Sequence, residues 1–186
     1  MTFNILITTI ARPSLTRMVD SIWPQLNEGD FLTIVADCKL RQVIPLIQGA
    51  IDNATCTIEL IQNFAPRGYF GHGSRNVWQN NLRGDFIMNA DDDDVYTPDA
   101  MQIVRQHCTQ QKLYIFRMLY NTIEMPRNHA IELCNIGTPC GIIPNTHDLP
   151  IWGLRHGGDF DFYNELSKHV DFEFVDKVIY KVKDSE

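Results

Sequence analysis

The 186-residue sequence predicts an α/β fold, a single domain whose mostly parallel central sheet is flanked by helices and passes into an α+β C-terminal part. Three observations lead there. Short β-rich runs alternate with stretches of helical periodicity as far as residue 119, which is the pattern of βαβ units. The first run, Asn4 to Ile10, is continuously apolar or Thr-rich, as a strand covered on both faces is. Beyond residue 120 the alternation breaks down into short strand-like runs around one helix, so 1–119 and 120–186 read as two halves of one domain. At 44% hydrophobic residues the chain can fill one substantial core, and its length argues against two.

Each element has a local reason. After the first strand, Pro13 suits a first helical turn, Leu15, Met18, Val19 and Ile22 share a face, and Pro24 closes the helix. Phe31 to Ala36 is the second strand, and Leu40, Val43, Ile44 and Ile47 mark a second helix interrupted by Pro45. Thr57 to Ile61 is the third strand, Asn63 to Ser74 a polar, Gly-rich loop, Arg75 to Leu82 a short helix, and Asp85 to Asn89 the fourth strand. Thr97 and Pro98 fit the N-cap and first position of a helix that turns Met101, Val104 and Cys108 inward. Leu113 to Leu119 is the fifth strand. Ala130 to Cys134, Gly141 to Ile143 and Phe172 to Val182 read as further strands, and Asp161 to His169 as a helix.

Composition removes several function classes. A net charge of −7 argues against general nucleic-acid binding, which depends on Lys and Arg neutralising phosphates. Five cysteines without CxxC spacing read as reduced thiols of a cytosolic chain. No segment reaches the roughly 18 apolar residues that span a bilayer, and no leader-like run opens the chain. The expected location is cytoplasmic, with peripheral membrane association compatible. The six histidines lack HxH or HExxH spacing, which makes a zinc site an unattractive reading; His72 and His156 stand out only because they lie in Gly-containing loops.

The sharpest chemical signal is Asp91-Asp92-Asp93-Asp94, placed directly after an apolar strand and before a capped helix. Four adjacent carboxylates repel one another, and a hard dication with oxygen ligands relieves that repulsion. On an extended backbone Asp91 and Asp93 project to one side and Asp92 to the other. A solvated acidic turn is the plainer alternative. An EF-hand is excluded by the missing Gly and Glu at loop positions six and twelve, so Mg2+ or Mn2+, which keep positions open for substrate phosphates, fit better.

Two Gly-containing loops accompany the acidic run. Gly68-Tyr69-Phe70-Gly71-His72-Gly73-Ser74 delivers Arg75 and Asn76, with Arg75 offering a planar fork for phosphate or carboxylate; no Gly-Lys-Ser/Thr ends it, so it is not a P-loop. Gly157-Gly158-Asp159-Phe160-Asp161 presents a carboxylate at a helix start, the placement a general base needs and equally that of an N-cap, which taken alone is the commoner role. Trp152 reads as an apolar wall beside this loop or as a core side chain.

In their order along the chain these motifs resemble the GT-A fold glycosyltransferases, a Rossmann-like class, and most closely the family 2 type that uses nucleotide-diphospho-sugars. The resemblance spans roughly residues 3 to 163. Thr8 to Leu15 is similar to that family's nucleoside loop, Asp37 to its base-contacting acid, Arg75-Asn76 to its Arg-Asn pair, and Phe86 to Pro98 to its DxD segment. Ala36-Asp37-Cys38-Lys39 departs from the two acids and Gly-Ser common after the second strand. By resemblance Asp93 is the principal metal ligand with Asp91 assisting, Gly158-Asp159 is the acceptor motif, and Asp159 is the catalytic base of an inverting enzyme. The donor contacts so implied are Thr9, Arg12, Asp37, Arg75, Asn76, Asp91 and Asp92.

The function expected is therefore a metal-dependent glycosyltransferase of hexosyltransferase type. It would carry Mn2+ or Mg2+ and move a sugar from a nucleotide-diphosphate donor, by default a UDP-sugar, to an acceptor hydroxyl. A nucleotidyltransferase of similar fold ranks lower, because the loop after the first strand carries only Arg12 as a cation. A non-catalytic nucleotide-sugar binding module is the alternative from a different class.

Overall fold

A computed structural model of the chain describes residues 1–146 and 148–182, so His147 lies outside the described residues. Strand β1 (Phe3–Thr9) is buried along its whole length, and α1 (Leu15–Ile22) buries the face formed by Leu15, Met18, Val19 and Ile22. Strand β2 (Phe31–Asp37) follows. The next helical stretch is divided into α2 (Leu40–Leu46) and α3 (Gln48–Asn53), with Pro45 in the last turn of the first and Ile47 at the break. Strand β3 (Thr57–Asn63) leads through the Gly-rich loop to α4 (His72–Trp78), which starts three residues before Arg75 because the loop tightens into a 3-10 turn ahead of it. Then come β4 (Phe86–Asp91), β5 (Val95–Tyr96) and α5 (Ala100–His107), whose N-cap is Asp99 rather than Thr97.

The remaining elements are β6 (Leu113–Tyr120), β7 (Ile123–Met125), β8 (Gly141–Pro144), α6 (Gly158–Leu166) and β9 (Phe172–Val182). The strand expected over Ala130 to Cys134 is irregular chain instead. Asn135 explains this: its carboxamide accepts from the Arg127 N–H at 2.8 Å and donates to the Ala130 carbonyl at 3.0 Å, taking backbone groups that a ladder would need. Helix α6 starts at Gly158, three residues earlier than its periodicity suggested, so Asp159 and Asp161 both lie in its first turn.

The expected mostly parallel sheet is corrected by the topology. One sheet runs in the order β3-β2-β1-β4-β8-β6-β9-β5, with β7 pairing the end of β6 beyond β8. Pairs β1–β2, β1–β4, β2–β3 and β6–β9 are parallel, whereas β4–β8, β6–β8, β6–β7 and β5–β9 are antiparallel. Strand β6 does keep the direction of β4, as a helical crossover through α5 demands. The short β8, from the second half of the chain, runs between them in the opposite sense.

The sheet is also curled. Strand β5 lies four positions beyond β4 along the hydrogen-bonded path, a separation of about 19 Å in a flat sheet. Only Asp92, Asp93 and Asp94 connect the two, and that stretch of backbone reaches about 14 Å at most. The far edge must bend back toward β4 into a half-barrel. A side-chain contact spans the gap: the Tyr180 hydroxyl of β9 accepts from the Asp91 N–H of β4 at 3.0 Å. The acidic run is thus the short link that draws the sheet round.

Candidate active site

Strands β1, β2 and β4 are parallel neighbours and end at the same edge, so their following loops gather there. They enclose a cleft of about 350 Å3 lined by Thr8 and Thr9 at the end of β1 and Arg12 after it, Asp37 at the end of β2, Asp91 at the end of β4 with Asp92 and Asp93 after it, Gly68, Phe70 and Gly71 from the loop before α4, and Ser74 in the first turn of α4. Residues separated by up to 85 positions meet here because the order β2-β1-β4 places the three strand ends side by side.

Within the acidic run the carboxylates have different surroundings. Asp92 and Asp94 are buried. Asp92 accepts from the Thr9 hydroxyl at 2.6 Å, the Ile10 N–H at 3.2 Å and Arg12 Nη1 at 3.1 Å, which ties the β1 loop to the β4 loop. Burial pushes its pKa up, against the Thr9 bond and the Arg12 charge that favour the anion. The Asp91 and Asp93 side chains are 36% and 49% exposed and face the cleft. Asp93 Oδ2 accepts from Arg12 Nη1 at 2.6 Å, and Asp91 Oδ1 from Arg75 Nη2 at 2.7 Å.

Arg75 is the most deeply buried cation of the site, with no exposed surface. Besides Asp91 it donates to the carbonyls of Phe70 at 2.9 Å and Ala90 at 3.1 Å, so one guanidinium joins the Gly-rich loop to the end of β4. The approach depends on Gly71, at φ 81°, where a Cβ would stand 2.1 Å from the Thr8 hydroxyl oxygen. Asn76 is turned away from the cleft: its carboxamide clips the Trp152 backbone, donating to the carbonyl at 2.9 Å and accepting from the N–H at 2.7 Å. Asp37 reaches the cleft but holds a loop as well, accepting from the Arg67 N–H at 3.0 Å and the Gly68 N–H at 3.4 Å.

Asp159 is not in this cleft. It lines a second one of about 540 Å3, and the two share Phe70 and Asp91. Asp159 is half-buried, burial pushes its pKa up, and the Phe160 N–H at 2.9 Å and the nearby His72 oppose that rise. His72 is buried, and its pKa is pushed down chiefly by that burial. Its Nδ1–H donates to the Gly153 carbonyl at 2.9 Å, which leaves Nε2 as the acceptor nitrogen of the neutral ring. Gly158 permits this packing, since a Cβ there would lie 2.0 Å from the Gly153 oxygen and 2.7 Å from His72 Nδ1. Trp152 is a core residue, fully buried and stacked on Phe162 at 4.0 Å.

Chemically, the first cleft offers two part-exposed carboxylates and Arg12 to a polar, charged ligand, with Arg75 buried behind Asp91, and the second cleft contains the carboxylate of Asp159. Among the described residues no group of three or more His, Cys, Asp or Glu could enclose a metal. Two carboxylates suffice for Mg2+ or Mn2+ when a substrate's phosphates complete the shell. Sequence reasoning missed Phe70, which belongs to both clefts, and Tyr180, which caps Asp91. The Gly-rich loop was a signal for Phe70; Tyr180, 89 positions from its partner, had none.

No family model matches the chain, and neither does any curated protein sequence. Solved structures do match. The crystal structure of S. aureus TarS 1–349 in complex with UDP-GlcNAc superimposes with a TM-score of 0.76 at 13% identity, over 100% of this chain and 59% of that one. The complex of the same protein with UDP gives 0.76 at 16% identity, over 100% and 61%. HddC from Yersinia pseudotuberculosis gives 0.60 at 13% identity, over 96% and 91%. The likeness is one of fold, and this chain spans about three fifths of TarS 1–349. Among the described residues no helix is long and apolar enough to cross a membrane.

Proposed function

We propose that the chain is a sugar-transferring enzyme, a glycosyltransferase similar to the family 2 type, that takes a nucleotide-diphospho-sugar in the first cleft and an acceptor hydroxyl in the second. The observation that carries this reading is the junction: Asp91 and Phe70 belong to both clefts, so a sugar held at the mouth of the first is presented to a nucleophile lying beside Asp159. The fold shared with TarS, whose crystal structures hold UDP-GlcNAc and UDP, supports a UDP-sugar as the donor.

In this reading the base and ribose lie toward Thr9, Arg12 and Asp37, with the diphosphate toward Arg75 and the acidic loop. Asp93, with Asp91 assisting, would hold Mn2+ or Mg2+, which supplies positive charge to the departing diphosphate. Asp92, at the edge of the cleft, keeps the β1 and β4 loops in register, and Asn76 supports the site through Trp152. Asp159 accepts the proton of the acceptor hydroxyl while that oxygen attacks the anomeric carbon. The bond from that carbon to the diphosphate oxygen breaks, the nucleoside diphosphate leaves, and the anomeric configuration inverts.

A thermal-shift screen of nucleotide sugars with and without Mn2+ tests the donor half, since a ligand of the native state raises the melting temperature. We expect a UDP-sugar and Mn2+ together to raise it by more than the sum of their separate effects. No shift with any nucleotide sugar, metal present, would overturn the proposal.

A further inference from the structure

The β6–β7 hairpin has an apolar face that the fold covers only in part, at Met118 and Met125. In an antiparallel hairpin, residues directly opposite each other share a face, and here Met118 pairs with Met125 and Tyr120 with Ile123. Alternation along β6 puts Met118 and Tyr120 on one side, so all four side chains form one continuous strip. The strip lines the second cleft, with buried Ile136 also in the lining. Toward the tip it opens to solvent: Tyr120 is 49% and Ile123 41% exposed. The same cleft contains Asp159.

These features constrain the occupant. A molecule seated in this cleft would meet thioether, aliphatic and aromatic surface along the hairpin, with Arg127, Arg155 and His156 and the carboxylates of Asp91, Asp94 and Asp159 also in the lining. A purely polar sugar would leave the exposed hairpin side chains Tyr120 and Ile123 wet, whereas an apolar body removes them from water. Methionines suit a ligand of this kind because their flexible, polarizable side chains adapt to irregular apolar shapes.

We propose that the acceptor is a hydroxyl carried on an apolar body, aryl or alkyl, that lies along Met118, Tyr120, Ile123 and Met125 and points its hydroxyl at Asp159. This rests on assigning the second cleft to the acceptor, as above. The hairpin is then a specificity element, selecting by contact with the body of the acceptor while the chemistry is left to the junction.

The test compares p-nitrophenyl β-D-glucopyranoside and hexyl β-D-glucopyranoside with free D-glucose, by saturation-transfer NMR titration of the full chain in the presence of UDP and Mn2+. At least one glycoside should bind about tenfold more tightly than glucose, as burial of part of a ring or short chain implies. The better of the two identifies the body as aromatic or aliphatic. Ile123→Ser, a change at an exposed hairpin position, should remove most of that preference while UDP affinity stays at the wild-type value. Tyr120→Ser is the second variant if the first fails to fold. Equal binding of glucose and both glycosides, or a preference that survives both substitutions, would overturn the proposal. UDP failing to bind while the glycosides do so would instead count against the function above and leave this surface assignment standing.

Discussion

Asp159 stands in a different electrostatic setting from the carboxylates of the acidic loop. Its neighbours are His72, itself pushed toward neutrality by burial, and the Phe160 N–H, and desolvation outweighs them to raise its pKa. A base of raised pKa holds a proton more firmly once transferred, but it must be ionised to begin. Transfer should therefore rise with pH along a limb above the ordinary carboxylate range, flat only once Asp159 is deprotonated. Asp159→Asn should lower kcat about 10²–10⁴-fold with UDP affinity intact. The stability sign follows from the same shift. A folded-state pKa above the unfolded one means the fold prefers the protonated form, so the contribution of this residue declines as pH rises from the unfolded value through the folded one. Above that window the Asn variant should melt higher than wild type. Unchanged transfer in a variant that still binds UDP would sink the assignment of Asp159 as the base.

The segment between β3 and α4 shows how little of a loop's conformation is written locally. Gly68, Tyr69, Phe70 and Gly71 all have positive φ, a region that non-glycine residues such as Tyr69 and Phe70 enter only at a cost. Two groups, one of them distant, hold the segment there: the Asp37 carboxylate accepts from the N–H groups of Arg67 and Gly68, and Arg75 Nη1, five positions on, donates to the Phe70 carbonyl. Composition alone marks 63–74 as a polar, Gly-rich connection, and the apolar spacing of α1 names its buried face residue by residue. Neither says that Asp37, 30 positions earlier, latches the loop that carries Phe70 to the junction of the clefts. Asp37→Ala should accelerate hydrogen exchange at the Arg67 and Gly68 amides about tenfold or more, the consequence of losing bonds worth about 1.5–3 kcal/mol, and should weaken UDP binding. Exchange unchanged at those two amides would show that the loop holds itself.

Apolar content and periodicity located β1, β2 and β4 and the edge where their loops meet, because a buried parallel strand looks like itself in sequence. Direction and closure were not legible in the same way. Four apolar residues from Gly141 to Pro144 do not disclose that they run antiparallel between β4 and β6, nor does an eleven-residue β9 announce which strand end it reaches. The curl depends on such pairings, and it gives Asp91 a partner from across the sheet. The β4–β8 ladder stops at Met88, while the Asp91 N–H at the end of β4 is capped by the buried Tyr180 hydroxyl. Tyr180→Phe keeps the ring and its edge-to-face contact with Tyr96 at 4.9 Å but deletes that acceptor. Leaving this half-buried N–H without the Tyr180 acceptor costs up to about 1–3 kcal/mol, so the urea midpoint should fall accordingly with little change in slope. Because the same residue bears the carboxylate that joins the two clefts, UDP affinity in the presence of Mn2+ should fall as well. A variant as stable as wild type would mean that the half-barrel closes without this contact, and that the strand pairing of β5 with β9 alone draws the acidic loop into place.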